Sequence, residues 1–240
     1  MKANYQPFVH SESVARIDEI LDGSDNQYEE VDAIPSRDRL TFTNGFYANC
    51  SALFIDLRAS SELPKKHKRP RLAKIYRTFI SECVAVINGN SDCAEVNIHG
   101  DAIWGVFDTP LKRDVDATFS TAASLNSIVQ TLNCRYRERG IDGVRAGIGV
   151  SWGRALMIKT GHKGSTINEV VWMGDVVNDA ANLCNKAAKY PNKTVMVSAA
   201  FYENLNDSHK GLLEYNYATS CYHGEVINQA MDAWIQEHCT

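Results

Sequence analysis

Apolar and polar positions follow two periods along this chain, and together they predict a mixed α and β protein. Helical spacing, with an apolar residue every three or four positions, runs through 8–22, 69–88 and 113–139. Compact apolar runs bounded by polar residues predict a strand that ends at Asp56 and two strands that flank a break at 99–101. Strands and long helices in this order predict an α+β sandwich of ferredoxin-like type, in which helices flank a central, mostly antiparallel sheet.

The second half of the chain continues the same pattern. Residues 144–158 predict a strand, a glycine-bearing turn and a second strand, and 169–186 predict a short strand that leads into a helix. The tail predicts a strand at 194–197, a helix at 199–205 and a pair of strands around 212–217 and 221–227. These elements add strands to one sheet, and no internal repeat interrupts them.

The N-terminal part differs from the rest in composition. Its helix is predicted to have Ser11 or Ser13 as N-cap and to stop at Gly23. The segment 24–39 is acidic and polar and predicts a linker or a surface arm. We therefore divide the chain into an N-terminal helix and polar arm, residues 1–39, and a globular domain, residues 40–240.

Composition narrows the class of protein further. Of the 240 residues, 44% are hydrophobic and 22% charged, as in an ordinary soluble globule. A net charge of −4 argues against a nucleic-acid partner. The sequence contains neither an apolar stretch long enough to span a bilayer nor the start of a signal peptide, so we expect a cytoplasmic protein without direct membrane insertion.

The seven cysteines show no close pair and no zinc-type spacing. Most of them stand among apolar neighbours. We therefore predict small reduced core residues, and neither metal ligands nor disulfide bridges.

Two carboxylates stand out as candidates for chemistry. Asp56 ends a buried strand, and Asp101 lies in a short His-Gly-Asp break between two apolar runs, which is typical of a hairpin turn. Burying an isolated carboxylate is unfavourable, so each needs either a structural partner or a bound cation. If the two strands are neighbours, the two carboxylates converge. A third feature is the recurrence of polar groups every four residues on one predicted helix, at Asn178, Asn182 and Lys186.

Four stretches, in this order and spacing, resemble the catalytic domain of the class III nucleotidyl cyclases, the adenylate and guanylate cyclases. They are Phe54 to Arg58, Gly100 to Phe107, Arg145 to Gly153, and Gly174 to Ala181. The similarity extends over about residues 45–227. It implies an enzyme that cyclises a nucleoside triphosphate to a 3′,5′-cyclic monophosphate and releases pyrophosphate.

The resemblance also implies roles for individual residues. Asp56 and Asp101 would bind two divalent metal ions, Mn²⁺ or Mg²⁺, with the main-chain carbonyl of Leu57 as a further ligand. Amides of the turn from Arg58 to Ser61, which includes Ser60, would hold the β and γ phosphates. Asn178 would orient the ribose. Oxygen ligands suit these metals, which can activate the attacking hydroxyl and neutralise the leaving group.

The positions that read a purine base in the family carry different residues in this sequence. A lysine and an aspartate are replaced by Asn97 and Val171, with Trp172 and Met173 beside the latter. The combination resembles the pyrimidine cyclases of the bacterial Pycsar antiphage systems, which implies cyclic UMP or cyclic CMP as an alarm signal and a separate effector that senses it. UTP and CTP both remain open as substrates; UTP is favoured by its frequency in the family.

Two other positions also depart from the family. Asn182 stands where the family has its transition-state arginine, so Lys186 or Arg58 would have to supply that charge. His223 stands at the position of a phosphate-binding lysine, and a histidine is only partly protonated at neutral pH.

The family's quaternary structure implies a homodimer. In the family that the chain resembles, the metal-binding acids come from one subunit and the helix asparagine from the other, so two composite sites are expected. Two alternatives stay open: a catalytically silent module that binds a nucleotide and signals to a partner, and a purine cyclase with a rearranged base pocket.

Overall fold

The computed structural model describes residues 2–239. Its helices are α1 His10–Leu21, α2 Leu63–Lys66, α3 Arg69–Asn88, α4 Lys112–Arg137, α5 Asp175–Lys186, α6 Ala199–Asn204, α7 Asp207–Lys210 and α8 Gln229–His238. Its strands are β1 Tyr28–Glu30, β2 Gly45–Leu57, β3 Cys93–His99, β4 Ala102–Asp108, β5 Ala146–Gly161, β6 Asn168–Met173, β7 Val195–Val197, β8 Glu214–Asn216 and β9 Cys221–Gly224.

All of these strands join one sheet. Its main path runs β3-β4-β2-β5-β7-β9-β8, with β1 added to β2 and β6 added to β5. The β1–β2 and β5–β7 pairs are parallel, and the other pairs are antiparallel. A mostly antiparallel sheet flanked by helices confirms the predicted α+β class.

The two faces of the sheet are covered by different parts of the chain. Successive side chains of β2 alternate between faces, so Leu53 and Ile55 pack with α3 and α4 in the larger core cluster. Ala52 belongs to a second cluster on the other face, where Trp172 of β6 and Leu40 of the N-terminal segment cover it. The catalytic candidates lie at the margin of this second face.

The region around residues 144–158 differs from its prediction. It forms one continuous strand, β5, paired with β2 from Gly45 to Leu57 without a turn. Gly153 lies opposite Cys50 inside this ladder, because cross-strand hydrogen bonds outweigh the local turn preference of glycine. The helix α8 was not predicted.

The N-terminal segment lies on the domain surface. β1 pairs with the first residues of β2, and Leu40 is buried in the second cluster. Helix α1 has no buried residue; its N-cap is Val9, so Ser11 and Ser13 lie within the helix and do not cap it. The division of the chain at residue 39 stays a prediction.

Two cysteines overturn the prediction of an entirely reduced set. Cys134 of α4 and Cys239 form a disulfide that joins positions 105 residues apart. Such a separation leaves no sequence signal, which is why the prediction was wrong for this pair. Cys50, Cys83, Cys184 and Cys221 are free and buried, and Cys93 is free and partly buried. Within residues 2–239, every helix is too short or too polar to traverse a lipid bilayer.

Candidate active site

Asp56 and Asp101 lie side by side where β2 ends and β4 begins. β2 and β4 are antiparallel with Asp56 opposite Ala102, so the residue just before Ala102 reaches the end of β2. Asp101 occupies the second position of a two-residue turn, and Gly100 takes the first position with a φ of +65°, a conformation that glycine adopts without strain. The turn and the register therefore bring the two carboxylates together, as expected for neighbouring strands.

The electrostatics of this pair favour a cation between the two acids. Burial, and next the negative charge of Asp101, raise the pKa of Asp56. Oδ2 of Asp101 is buried and has no hydrogen-bond partner among residues 2–239. An unpaired, buried carboxylate oxygen beside a second carboxylate fits a divalent metal ion. The described chain contains no cluster of three or more His, Cys, Asp or Glu, so its contribution would be two acids and main-chain oxygen.

The segment after β2 forms a tight turn beside these acids. Leu57 ends the strand and is buried, opposite Ala146 of β5. Ala59 has a left-handed conformation with a φ of 55°, and Ser60 and Ser61 follow in a single 3₁₀ turn. The turn therefore begins directly after Asp56 and Leu57, and Ser60 is partly exposed and Ser61 exposed.

Arg58 occupies a buried position that the sequence did not suggest. Its side chain is 6% exposed, and Nη2 donates to the carbonyl oxygen of Cys184, 2.9 Å away, near the C-terminus of α5. The same nitrogen lies 3.5 Å from Oδ2 of Asp56. Arg58 thus links the end of β2 to α5, and this position favours a structural role over direct contact with a substrate phosphate.

Helix α5 packs so closely on β5 that its outer face is well defined. At Gly149 a Cβ atom would lie 2.1 Å from the backbone nitrogen of Cys184, so only glycine permits this approach. The inner face buries Val176, Ala180, Leu183 and Cys184. On the outer face, Asn178, Asn182 and Lys186 are all exposed to solvent.

A partly open strip of the sheet lies next to the acids. Phe54, Trp104 and Asn97 are directly opposite one another on β2, β4 and β3, so their side chains share one face. The rings of Phe54 and Trp104 are stacked with centroids 5.0 Å apart. Nδ2 of Asn97 is buried without a hydrogen-bond partner in the described chain. The strip therefore offers an aromatic surface and an unsatisfied amide donor.

Strand β6 presents alternate residues to opposite sides. Val171 and Met173 are exposed, at 37% and 51%, whereas Trp172 between them is 5% exposed. Trp172 therefore points into the second core cluster and does not wall the predicted base pocket directly, while Val171 and Met173 face outward.

His223 is engaged within its own chain. Its Nδ1 accepts a hydrogen bond from the backbone N–H of Lys193 at 3.2 Å, and its Nε2 lies 3.3 Å from Oε1 of Glu214. The side chain is 9% exposed. Both ring nitrogens thus have partners, which link β9 to β8 and to the loop between α5 and β7. This position favours a structural role over the predicted phosphate contact.

Two residues near the site carried no sequence signal of their own. Tyr76 of α3 counted only as an apolar helix position, yet burial and then the charges of Asp101 and Asp56 raise the pKa of its hydroxyl. Glu95 of β3 is a buried carboxylate that accepts a hydrogen bond from Trp172. Neither contact follows from spacing along the chain.

Sequence comparison finds close relatives. No protein-family model matches the chain. A protein from Gulbenkiania mobilis named uridylate cyclase is 38% identical, and the match covers 99% of this chain and 100% of that protein. A uridylate cyclase from Treponema porcinum is 35% identical over 89% of this chain and 76% of its own length.

Solved structures share the fold at low sequence identity. The adenylyl cyclase CyaB from P. aeruginosa superposes with a TM-score of 0.61, 18% identity, and coverage of 71% of this chain and 85% of that one. This similarity concerns the fold alone, and it agrees with the sheet order and the flanking helices described above.

Proposed function

This chain belongs to the uridylate cyclases within the class III nucleotidyl cyclases, and on that premise we propose that it converts UTP into 3′,5′-cyclic UMP and pyrophosphate. The observation that carries the proposal is the pair Asp56 and Asp101, adjacent at the ends of β2 and β4, with one oxygen of Asp101 unpaired within residues 2–239. Such a pair is unfavourable unless a cation joins it, and nucleotide cyclisation needs cations at this kind of position.

The residues present fit two divalent metal ions. Asp56, Asp101 and the carbonyl of Leu57 would hold them, with phosphate oxygens of the substrate completing the coordination. When bound, Mn²⁺ or Mg²⁺ lowers the pKa of the attacking hydroxyl and neutralises charge on the leaving group. The turn at Ser60 and Ser61 would hold the β and γ phosphates beside this position.

In the reaction the 3′ oxygen of the ribose forms a bond to the α-phosphorus. The bond from that phosphorus to the bridging oxygen breaks, pyrophosphate leaves in line, and the 3′ proton is released. Asn178 would hold the ribose so that the 3′ oxygen points at phosphorus. Lys186, exposed two turns further along the same face of α5, is better placed than buried Arg58 to meet the charge on the α-phosphate.

The base would be read by Asn97 together with Val171 and Met173. Nδ2 of Asn97, which has no hydrogen-bond partner among residues 2–239, offers a donor for a pyrimidine carbonyl. The apolar side chains on β6 give no acceptor for the exocyclic amine of a purine. An amide flip at Asn97 would suit the ring edge of CTP, which keeps CTP as the alternative substrate.

We propose that two copies of the chain form a homodimer with two composite sites. The polar face of α5 with Asn178 and Lys186 is exposed in the single chain, while the inner face of α5 packs towards Arg58 and Asp56. A partner subunit would bring its own α5 face to the metal-binding acids and complete the site.

The biological role we propose is signalling in antiphage defence in the cytoplasm. Cyclic UMP would act as a second messenger that a separate cyclic-nucleotide-sensing effector reads. The resemblance to pyrimidine cyclases of antiphage systems supports this role. A rise of cyclic UMP on phage challenge in cells that carry the active protein, and its absence with Asp101→Asn, would be the corresponding result in cells.

The decisive experiment is incubation of the purified protein with each of the four nucleoside triphosphates and Mn²⁺, with product identification by mass spectrometry. Cyclic UMP from UTP is the expected result. Formation of cyclic CMP would identify CTP as the substrate, and formation of a purine cyclic nucleotide would identify ATP or GTP. Binding of a triphosphate without any product would instead support the silent module.

A further inference from the structure

Glu95 is held in an almost dry position by two partners from distant parts of the chain. Its side chain is 4% exposed. Oε2 accepts a hydrogen bond from Nε1 of Trp172 at 3.2 Å, and Oε1 accepts one from Nη2 of Arg37 at 2.7 Å. The hydrogen bond with Glu95 also raises the pKa of Arg37. A buried carboxylate with a charged and a neutral donor is a satisfied group, unlike Asp101.

These contacts join strands that do not pair. β3 lies at one end of the sheet, whereas β6 attaches to β5, so β4, β2 and β5 separate them. The Glu95–Trp172 hydrogen bond connects them directly across 77 residues of sequence. Arg37 comes from the N-terminal arm and also binds Glu169 of β6 at 3.0 Å. The arm therefore fastens the same two strands from outside.

Glu95 and Trp172 are each a close sequence neighbour of residues proposed to read the base. Glu95 precedes Asn97 by two positions, so both side chains lie on the same face of β3. Trp172 lies between Val171 and Met173 on β6. Its burial in the second core cluster fixes the direction in which these two neighbours point.

The position of β3 depends on such an anchor. β3 is an edge strand, and its ladder with β4 is irregular between Cys93 and Glu95, where the register shifts. A bulge disrupts the ladder locally, and regular pairing with β4 resumes at Glu95. The side-chain contacts of Glu95 therefore act where regular pairing begins, two residues before Asn97.

We propose that Arg37, Glu95 and Trp172 are positioning residues that set the spacing between Asn97 and the β6 side chains and thereby set selectivity for the nucleobase. The inference rests on the proposed base site, and it assigns a function to the N-terminal arm. The network touches no substrate; it acts through Asn97, Val171 and Met173. A displaced edge strand weakens base contacts without altering the groups that handle the phosphates.

The test compares Trp172→Phe, Glu95→Gln and Arg37→Met with the unaltered protein. Steady-state kinetics with each of the four triphosphates give KM and kcat. We expect KM for the preferred triphosphate to rise about tenfold, kcat to change less than about twofold, and discrimination between bases to fall about tenfold. Arg37→Lys keeps the charge and should restore part of the discrimination.

Arg39→Met is the matched control. Arg39 lies on the same arm and is about as exposed as Arg37, but its ion pair is with exposed Glu29, so the contacts of Glu95 and Trp172 stay in place and the variant should behave like the unaltered protein. Arg37 is 54% exposed, which makes Arg37→Met the variant that folds most readily. Thermal unfolding is measured for every variant. Normal KM values and normal base ranking in variants that merely unfold at lower temperature would overturn the proposal.

Failure of the proposed function gives a different result. If the unaltered protein prefers another triphosphate, uridylate cyclase activity is excluded, while loss of that preference in the variants still supports the network. If no triphosphate is turned over, calorimetric binding of the four triphosphates with Mn²⁺ provides the same ratios. Unchanged binding ratios in all three variants would then exclude the network as a determinant of base selectivity.

Discussion

Two carboxylate sites lie on the same face of the sheet, and they differ in how their charge is satisfied. Glu95 is opposite Val106 and Ala52, and Asp56 lies four residues after Ala52 on β2, so both side chains project to one side. Glu95 receives hydrogen bonds from Arg37 and Trp172. At the other site, Asp56 faces a second carboxylate, and Oδ2 of Asp101 has no partner in the described chain.

The difference separates structural from functional charge. A buried carboxylate with donors from its own chain contributes to the fold, and removing it leaves those donors unpaired. Two adjacent carboxylates repel each other. Asp56 has Arg58 3.5 Å away, so it is Asp101 that the fold gains nothing from keeping unless a cation binds. Mutation of the first kind of site should therefore lower stability and base discrimination, whereas mutation of the second kind should abolish turnover.

The largest expected effect is at the unsatisfied pair. Asp56→Asn and Asp101→Asn should each lower cyclase activity about a thousandfold or more, because a metal ligand and its charge are lost together. Product formation from UTP and Mn²⁺ measures this. Asp108→Asn is the control. Asp108 is a part-buried acid of β4 that accepts a hydrogen bond from the backbone N–H of Ile34, and asparagine keeps an acceptor there. Retention of a tenth of the activity in Asp101→Asn would contradict the metal role.

The next effect concerns complementation between subunits. Asp101→Asn and Asn178→Ala, each inactive alone, should regain about a quarter of normal activity when mixed in equal amounts. Half of the dimers are then mixed, and each of these carries one intact site of two. Denaturation and joint refolding, followed by the activity assay, allow the exchange. Activity that stays at the level of the single variants would argue against shared sites. As a control, Glu95→Gln mixed with either variant should give the same activity as unaltered protein mixed with that variant.

The satisfied carboxylate should show its effect in stability. Glu95→Ala should lower the free energy of unfolding by about 2–4 kcal/mol, because the Trp172 N–H is left buried and unpaired and Arg37 loses its closest partner. Urea unfolding followed by circular dichroism measures the change. Asp101→Asn, in the same assay without metal, should be no less stable than the unaltered protein. Equal losses in the two variants would erase the distinction drawn between the sites.

Metal addition gives the smallest expected effect, and it distinguishes the Asp56–Asp101 pair from the Glu95 site without a measurement of catalysis. Mn²⁺ at about a hundred times its dissociation constant should stabilise the unaltered protein by about 2.7 kcal/mol, seen as a rise in Tm of several degrees. The rise should persist in Glu95→Gln and disappear in Asp101→Asn. A shift that survives in Asp101→Asn would place the metal elsewhere.

Much of the fold was accessible from local pattern. The helix predicted at 69–88 has these bounds in the structure, and the hairpin around Asp101 forms as its apolar runs and glycine indicate. Asn178, Asn182 and Lys186 share one exposed helix face, as their spacing requires. The turn predicted within 144–158 was wrong, because pairing of β5 along all of β2 outweighs the glycine at 153.

Contacts between distant segments set the properties that the pattern could not give. The burial of Arg58 beneath α5, the engagement of His223 by Lys193 and Glu214, and the Cys134–Cys239 disulfide each join residues far apart in sequence. A side chain's partner depends on where other strands and helices pass, and periodicity carries no information about that.

The sequence by itself determined the order of helices and strands, the presence of two acids at a strand end and a turn, and a polar helix face, because these depend on neighbours within a few residues. The tertiary structure alone decided which charges are satisfied. It gave Glu95 its donors from the arm and from β6 and left an oxygen of Asp101 unpaired in the part of the chain that the structure describes, because hydrogen bonding across a sheet depends on through-space register and not on distance along the chain.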